Sequence, residues 1–313
     1  MKILITGGAG FIGSNLAREC LRRGYQVRII DNLLTGKLEN IKDIRKKVTF
    51  VKADINNQKA LMKIMKGVDY VLHEAALASV IRSFKEPQLV NKVNIEGTLN
   101  ILWAAKQSRV KRVIYAASSS AYGNSKIYPL EENFLPKPIS NYGVSKLAGE
   151  YYCQAFNYLY GLETICLRYF NVYGPYQDPH SEYAAVIPRF IKAVLNNKPV
   201  TIYWDGKQSR DFTYIDNVVE ANLKAMQAPK NACGKVYNIA CGKRISLLEI
   251  ISQMEKIFKK KIKINFQSAR LGDVKHSLAD ITLARKYLKF IPKFNFNQGL
   301  EKTILWYQQQ MKK

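Results

Sequence analysis

The chain has 313 residues, 47% of them hydrophobic and 23% charged, which is ordinary for a globular protein and long enough for a large domain plus a smaller one. Its 49 Lys and Arg against 24 Asp and Glu leave a charge of +25, but they are scattered, with short runs such as Arg45-Lys46-Lys47 and no accompanying basic-aromatic module; a solvated basic surface that attracts anionic small molecules is expected, and no nucleic acid. No apolar run nears the roughly 18 residues of a membrane span, the opening residues leave no room for a secretory leader, and five cysteines without Cys-x-x-Cys spacing fit reduced thiols, so a cytoplasmic chain without membrane span or metal site is expected.

Short β-branched runs alternate with longer amphipathic segments through the first half, the pattern of a doubly wound α/β fold with a parallel sheet. A strand at 2–6 runs into Thr6-Gly7-Gly8-Ala9-Gly10-Phe11-Ile12-Gly13 and a helix at 11–23 that stops at Gly24. Glycines between a strand and a helix let the backbone turn tightly and approach a pyrophosphate at the helix N-terminus. The next strand, 26–30, ends at Asp31, 18 residues beyond Gly13, where a carboxylate accepts hydrogen bonds from an adenine ribose and repels a 2′-phosphate; NAD is therefore expected over NADP. Strands at 48–51 and 70–73 follow, then a helix at 87–107 and a strand at 112–116 that delivers Ser118-Ser119-Ser120 to the carboxyl edge of the sheet, where ligands of such folds bind.

Tyr-x-x-x-Lys occurs three times, and context separates the copies. Tyr122/Lys126 encloses Gly123-Asn124-Ser125 and Tyr203/Lys207 encloses Asp205-Gly206, both turn chemistry. Tyr142/Lys146 instead follows the capping residues Ser140-Asn141 in a segment that reads as helix through Tyr152, so the two side chains project from one face. An ammonium there would stabilise a tyrosinate and bring the phenol toward the range of a general base, which makes Tyr142 the expected base. A strand at 164–168 completes the regular alternation; beyond Asn171 come turns, a helix near 184–195 and a strand at 200–203. Residues 1–171 are expected to form the cofactor domain, with segments near 212–240 returning to it, and 172–313 mainly a smaller α/β substrate-binding domain.

The Gly7, Gly10, Gly13 spacing resembles the short-chain dehydrogenase/reductases, which implies a Rossmann domain. Further segments make nearly the whole chain similar to the UDP-hexose 4-epimerases of that superfamily, particularly those acting on N-acetylated sugars: Asp31-Asn32, His73-Glu74-Ala75-Ala76, Asn94-Ile95-Glu96-Gly97-Thr98, Leu167-Arg168-Tyr169-Phe170-Asn171, Ser209-Arg210-Asp211-Phe212 and Arg270-Leu271-Gly272-Asp273. The resemblance implies that Phe11, Ile12, Asn32, Asp54, Ile55, Ala75 and Ala76 contact the cofactor, with a structural cap as the alternative for Asp54. It also implies that Asn94 and Phe170 line the nicotinamide site and that Lys146 reaches the nicotinamide ribose. Ser118, four residues before Tyr122-Gly123, would be the catalytic serine. Asn171, Arg210 and Arg270 would contact the nucleotide diphosphate or its sugar, with Ser119, Ser120, Val186, Tyr203 and Asp273 also at the substrate. Bidentate binding of phosphate by a guanidinium agrees with this. The implied partners are a UDP-sugar and a second copy of the chain, through a four-helix interface built from the 87–107 and 142–160 helices.

Family dehydratases carry Thr-Asp-Glu where this chain has Ser118-Ser119-Ser120. Without those acids, a 4-keto sugar returns by reduction, and C4 epimerisation is expected in preference to dehydration or decarboxylation. Seven residues after Arg270, where related epimerases place a bulky Tyr, stands Ser277, and Ala78 and Ala185 are also small. These favour UDP-GlcNAc/UDP-GalNAc over UDP-glucose/UDP-galactose, with a UDP-N-acetylhexosaminuronate as a further alternative. A non-catalytic NAD-binding or nucleic-acid-associated protein is the rival from another class.

Overall fold

The computed structural model describes residues 1–179, 185–268 and 274–311. Seven parallel strands form the central sheet: β1 (Lys2–Thr6), β2 (Gln26–Asp31), β3 (Thr49–Lys52), β4 (Tyr70–His73), β5 (Arg112–Ser118), β6 (Glu163–Tyr169) and, after four short strands β7 (Val172–Tyr173), β8 (Val200–Tyr203), β9 (Ser209–Asp211) and β10 (Thr213–Tyr214), β11 (Lys235–Ile239). Their order is β11-β6-β5-β4-β1-β2-β3, so the direction of winding reverses between β1 and β4. A crevice opens at such a point outside the strand ends.

Side-chain alternation along the strands divides the core in two. Ile3 and Ile5, Leu72, Ile114 and Ala116, Ile165 and Leu167 join one cluster with α1 (Phe11–Arg22). Leu4, Val71, Val113, Tyr115 and Cys166 join the other, with α2 (Gln58–Met65) and, beyond the short α3 (Val80–Lys85) and α4 (Pro87–Asn91), α5 (Gly97–Gln107) and α6 (Asn141–Tyr160); Val90 of α4 joins a separate small cluster with Leu77 and Val93. A π-helical turn at Lys92–Glu96 joins α4 to α5. The remaining helices are α7 (Val186–Leu195), α8 (Ile215–Gln227), α9 (Leu247–Phe258) and α10 (Phe296–Met311). α8 packs on the α1 side of the sheet, and β11 extends the sheet beside β6, so residues 215–239 belong to the large layer. The short strands form a small second unit: β7 pairs with β10, β9 with β12 (Arg244–Ser246), and β8 with β13 (Ile264–Gln267). No described helix is long and apolar enough to cross a membrane.

The predicted strands 2–6, 70–73 and 200–203 match the structure, and the others differ from it by one or two residues at their ends. The difference with consequence is β5, expected to end at 116: it continues to Ser118, which makes that serine the last strand residue and holds its side chain at the sheet edge. The helix expected near 184–195 begins at Val186.

Candidate active site

The switch point opens into a cavity of about 920 Å³ lined by Gly7, Gly10, Phe11, Ile12, Gly13, Asp31, Asn32, Ile55, Ala75 and Ala76. Only glycine fits two of these places. Gly7 has φ +66°, and a Cβ on it would lie 2.8 Å from Ala75 Cα; a Cβ on Gly13 would lie 2.3 Å from the Gly7 carbonyl oxygen. No side chain caps the N-terminus of α1 and no acid stands in its first turn, so its free N–H groups and dipole suit an anion. Asp31 accepts hydrogen bonds from the Ala9 N–H (2.9 Å) and the Leu33 N–H (2.8 Å) while lining the cavity; burial pushes its carboxyl upward. A glycine cradle, an uncapped helix start and a braced carboxylate together fit a dinucleotide.

The loop after β2 adds residues that the sequence reading missed: Thr35, Gly36, Lys37 and Asn40 also line this cavity. Lys37 forms an ion pair with Asp178 (2.7 Å), which ties the loop after β2 to the loop after β7. The Thr35-Gly36 pair directly beyond Asp31 is the turn signal that marked the loop.

A second cavity of about 590 Å³ shares Phe11, Ile12, Ala78, Ser79 and Gln177 with the first, so the two are contiguous. Ser118, Ser119, Ser120 and Tyr142 stand on its floor, and Asn171, Ala185, Val186, Tyr203, Arg210 and Ser277 on its walls. Arg189 and His276, absent from the sequence reading, join them. The neighbouring cations Arg244, Lys275 and Arg210 depress His276, after burial, which marks this end as electropositive and suited to phosphate. Ser277 Oγ accepts from Asn171 Nδ2 (3.2 Å), a short side chain turned against the wall. Arg270 and Asp273 lie outside the described residues.

Ser140 caps α6 by accepting from the Gly143 N–H (3.0 Å), and the helix it starts carries Tyr142 and Lys146 on one face. Ser118 hydrogen-bonds the Tyr142 phenol and also accepts from the Ser120 N–H (3.2 Å), so it caps its turn and serves the tyrosine at once. Lys146 is 3% exposed; its Nζ donates to the Ala116 carbonyl (2.8 Å) and lies 5.0 Å from the centre of the Tyr115 ring. Burial lowers its pKa, while Glu74 and Glu150 raise it. Glu150, one turn along α6, forms a buried ion pair with Arg168 of β6 (2.7 Å).

Three expectations change. Among the protein's own groups the Tyr142 phenol is pushed up: burial dominates, Ser118 pulls it back, and Glu74 adds to the rise. The expected stabilisation by Lys146 is not among these influences, and its ammonium is turned to the Ala116 carbonyl. Asn94 does not line the cavity; it is 1% exposed, accepts from the Leu77 N–H (2.8 Å) and donates to Ser145 Oγ (2.9 Å), tying the loop after β4 to α6. Phe170 is fully buried against Tyr122, Leu130 and Ala240, behind the cavity wall. Asp54 accepts from the Asn56 N–H (2.8 Å) and Asn32 Nδ2 (2.8 Å), so it braces its own turn and orients Asn32 beside the cavity.

The family model described as the NAD dependent epimerase/dehydratase family matches residues 3–240. A putative UDP-glucose 4-epimerase of Methanocaldococcus jannaschii is 37% identical over 306 residues, covering 97% of each chain. Among solved structures, a UDP-N-acetylglucosamine 4-epimerase from Methanobrevibacter ruminantium in complex with UDP-N-acetylmuramic acid superposes with TM-score 0.94 at 39% identity, over 99% of each chain. A UDP-glucuronic acid 4-epimerase from Bacillus cereus in complex with UDP-glucuronic acid and NAD gives TM-score 0.92 at 37% identity, over 99% of this chain and 100% of that one.

Proposed function

The chain belongs to the NAD-dependent epimerase/dehydratase family, and from that premise we propose how its two joined cavities are used: as an NAD-dependent UDP-sugar 4-epimerase, it takes UDP-GlcNAc and UDP-GalNAc as its preferred pair. Gly7, Gly10, Gly13 and the α1 N-terminus would hold the pyrophosphate of NAD, and Asp31 with Asn32 the adenine ribose. The bound cofactor supplies a hydride acceptor for C4 of the sugar and a hydride donor for the 4-keto sugar.

The chain's own residues handle the proton. Tyr142 takes it from the C4 hydroxyl, Ser118 steadies that oxygen through the hydrogen bond it shares with the phenol, and Lys146 holds positive charge below them. Nothing beside Ser118 promotes elimination, because Ser119 and Ser120 bring no carboxylate to the floor. The 590 Å³ cavity gives a sugar room to present its other face before C4 is reduced again. That arrangement inverts the centre and leaves the cofactor as it began.

The observation that carries the N-acetyl preference is that Ser277, Ala78 and Ala185, all small, line the substrate cavity, which leaves room for an acetamido group. Arg189, which lines the same cavity, would suit a carboxylate at C6, which makes a UDP-hexuronate the second reading. Steady-state comparison of UDP-GlcNAc, UDP-glucose, UDP-glucuronate and UDP-N-acetylglucosaminuronate decides between them. A kcat/KM for UDP-GlcNAc about tenfold above that for UDP-glucose is expected, the size of one pocket change. Equal or reversed preference would overturn the substrate reading, and a stable keto sugar or released carbon dioxide the epimerase reading. We also propose that Trp103, Tyr151, Tyr158 and Leu159, exposed on α5 and α6, form a homodimer face, which light scattering tests.

A further inference from the structure

Glu74 ends the run His73-Glu74 at the C-terminal edge of β4, on the floor of the cofactor cavity, and neither its neighbours in sequence nor the steps above give it a task. Its placement is determined closely. Its N–H donates to the Thr6 carbonyl (3.3 Å), and its carboxylate accepts from the Tyr169 hydroxyl at the end of β6 (2.9 Å). The Tyr169 oxygen in turn accepts from Nδ2 of Asn222 on α8 (2.8 Å), a fully buried amide that also donates to the Val218 carbonyl (2.9 Å). A relay of two hydrogen bonds thus fixes the carboxylate from α8, and because His73 pairs with Tyr115, Glu74 leaves β4 level with Ala116, whose carbonyl holds the Lys146 ammonium.

A carboxylate held there needs counter-charge, since removing it from water costs several kcal/mol. The titratable groups that act on it are Tyr169 from β6 and Lys146 from α6, and it acts in turn on Tyr142 of α6. Burial pushes the Glu74 carboxyl above the usual carboxylate range, and the Tyr169 hydrogen bond and the Lys146 ammonium pull it back. The influence runs the other way too. The Glu74 charge raises Lys146, together with Glu150 on α6, and raises the Tyr142 phenol.

We propose that Glu74 is a positioning residue for the Tyr142/Lys146 pair: its charge, fixed by Tyr169 and Asn222, sets the pH window in which the phenol and the ammonium are in their working protonation states. This rests on the reading of Tyr142 as the base. A neutral residue at position 74 would lower both groups, so both limbs of a pH profile that the pair controls would move the same way.

The test is the pH profile of kcat/KM for UDP-GlcNAc in Glu74→Gln, Glu74→Asp and Tyr169→Phe, over about pH 5 to 10. Glu74→Gln should displace the whole bell to lower pH by about half a unit or more. Glu74→Asp, which keeps the charge, should leave it in place at reduced height. Tyr169→Phe keeps its ring but takes away the donor, so the carboxyl holds its proton longer and the bell should move in the Gln direction by less; this variant carries the test where Glu74→Gln does not fold. A second readout needs no turnover. The ultraviolet difference spectrum between each chain and its Tyr142→Phe counterpart reports the Tyr142 phenolate, which should appear at lower pH in Glu74→Gln. This titration separates a failure of the present inference from a failure of the epimerase reading. A bell of reduced height whose limbs stay where they were, with an unshifted phenolate titration, would overturn the proposal and leave Glu74 a structural group.

Discussion

Gly149→Ala tests how closely the catalytic helix is set against the sheet. Gly149 lies on α6 three residues beyond Lys146, directly over Tyr115 of β5: a Cβ there would stand 2.2 Å from the Tyr115 hydroxyl and 2.4 Å from its Cζ. That hydroxyl donates to the Lys146 carbonyl (3.3 Å), so the phenol ring is the spacer between helix and strand. Ordinary carbon contacts begin near 3.5 Å, so the methyl forces α6 outward by roughly 1 Å at this point. Overpacking of this kind costs about 1–3 kcal/mol, which a chain of this size survives. The effect on the chemistry is larger, because a shift of about 1 Å in a reacting group costs on the order of a hundredfold in rate. Gly149→Ala is therefore expected to stay folded by circular dichroism and to lose about ten- to a hundredfold in kcat for UDP-GlcNAc epimerisation. Adding Tyr115→Phe should not restore it, because the ring carbon at 2.4 Å remains. A kcat within twofold of the parent would refute the claim that the Tyr115 ring fixes the height of the Tyr142/Lys146 pair.

Tyr142→Phe should lower turnover by at least about a hundredfold, the contribution of a positioned base, while the purified protein keeps its bound cofactor; full turnover would refute the assignment. Asp31→Asn leaves an acceptor for only one of the Ala9 and Leu33 N–H groups, which bond to different carboxylate oxygens, and removes the charge that opposes a 2′-phosphate, so NAD should bind less tightly and the ratio of NADP to NAD dissociation constants should fall by about tenfold, measured by titration calorimetry.

The sheet was legible because its central strands are buried on both faces and read as continuous apolar runs; β1 and β4 agree with their predicted bounds residue for residue. The placement of Ser118 and Tyr142/Lys146 was legible for a different reason, since a strand end and a capped helix fix where their side chains start. Asn94 and Phe170 show where such reading stops. Their positions in the chain are as the resemblance implies, but direction depends on packing: the π-helical turn at Lys92–Glu96 points the Asn94 amide at Leu77 and Ser145, and Phe170 turns into a separate apolar cluster. The loop carrying Thr35 and Lys37 has no periodicity to read, and its place at the cavity follows only from the turn after Asp31. Glu74 stayed hidden because its partners Tyr169 and Asn222 are distant in sequence.

The ion pair between Lys37 and Asp178 closes one side of the cofactor cavity, and its two ends are 49% and 34% exposed. Such a pair contributes no more than about 1 kcal/mol and weakens as salt rises. For a dehydrogenase, which must release and rebind its cofactor at every cycle, a bar across the exit would slow each turnover. An epimerase regenerates its oxidised cofactor in place, so the same bar delays nothing in the catalytic cycle and lengthens only the residence of one molecule through many cycles. Salt should shorten that residence while leaving the rate of a single cycle untouched.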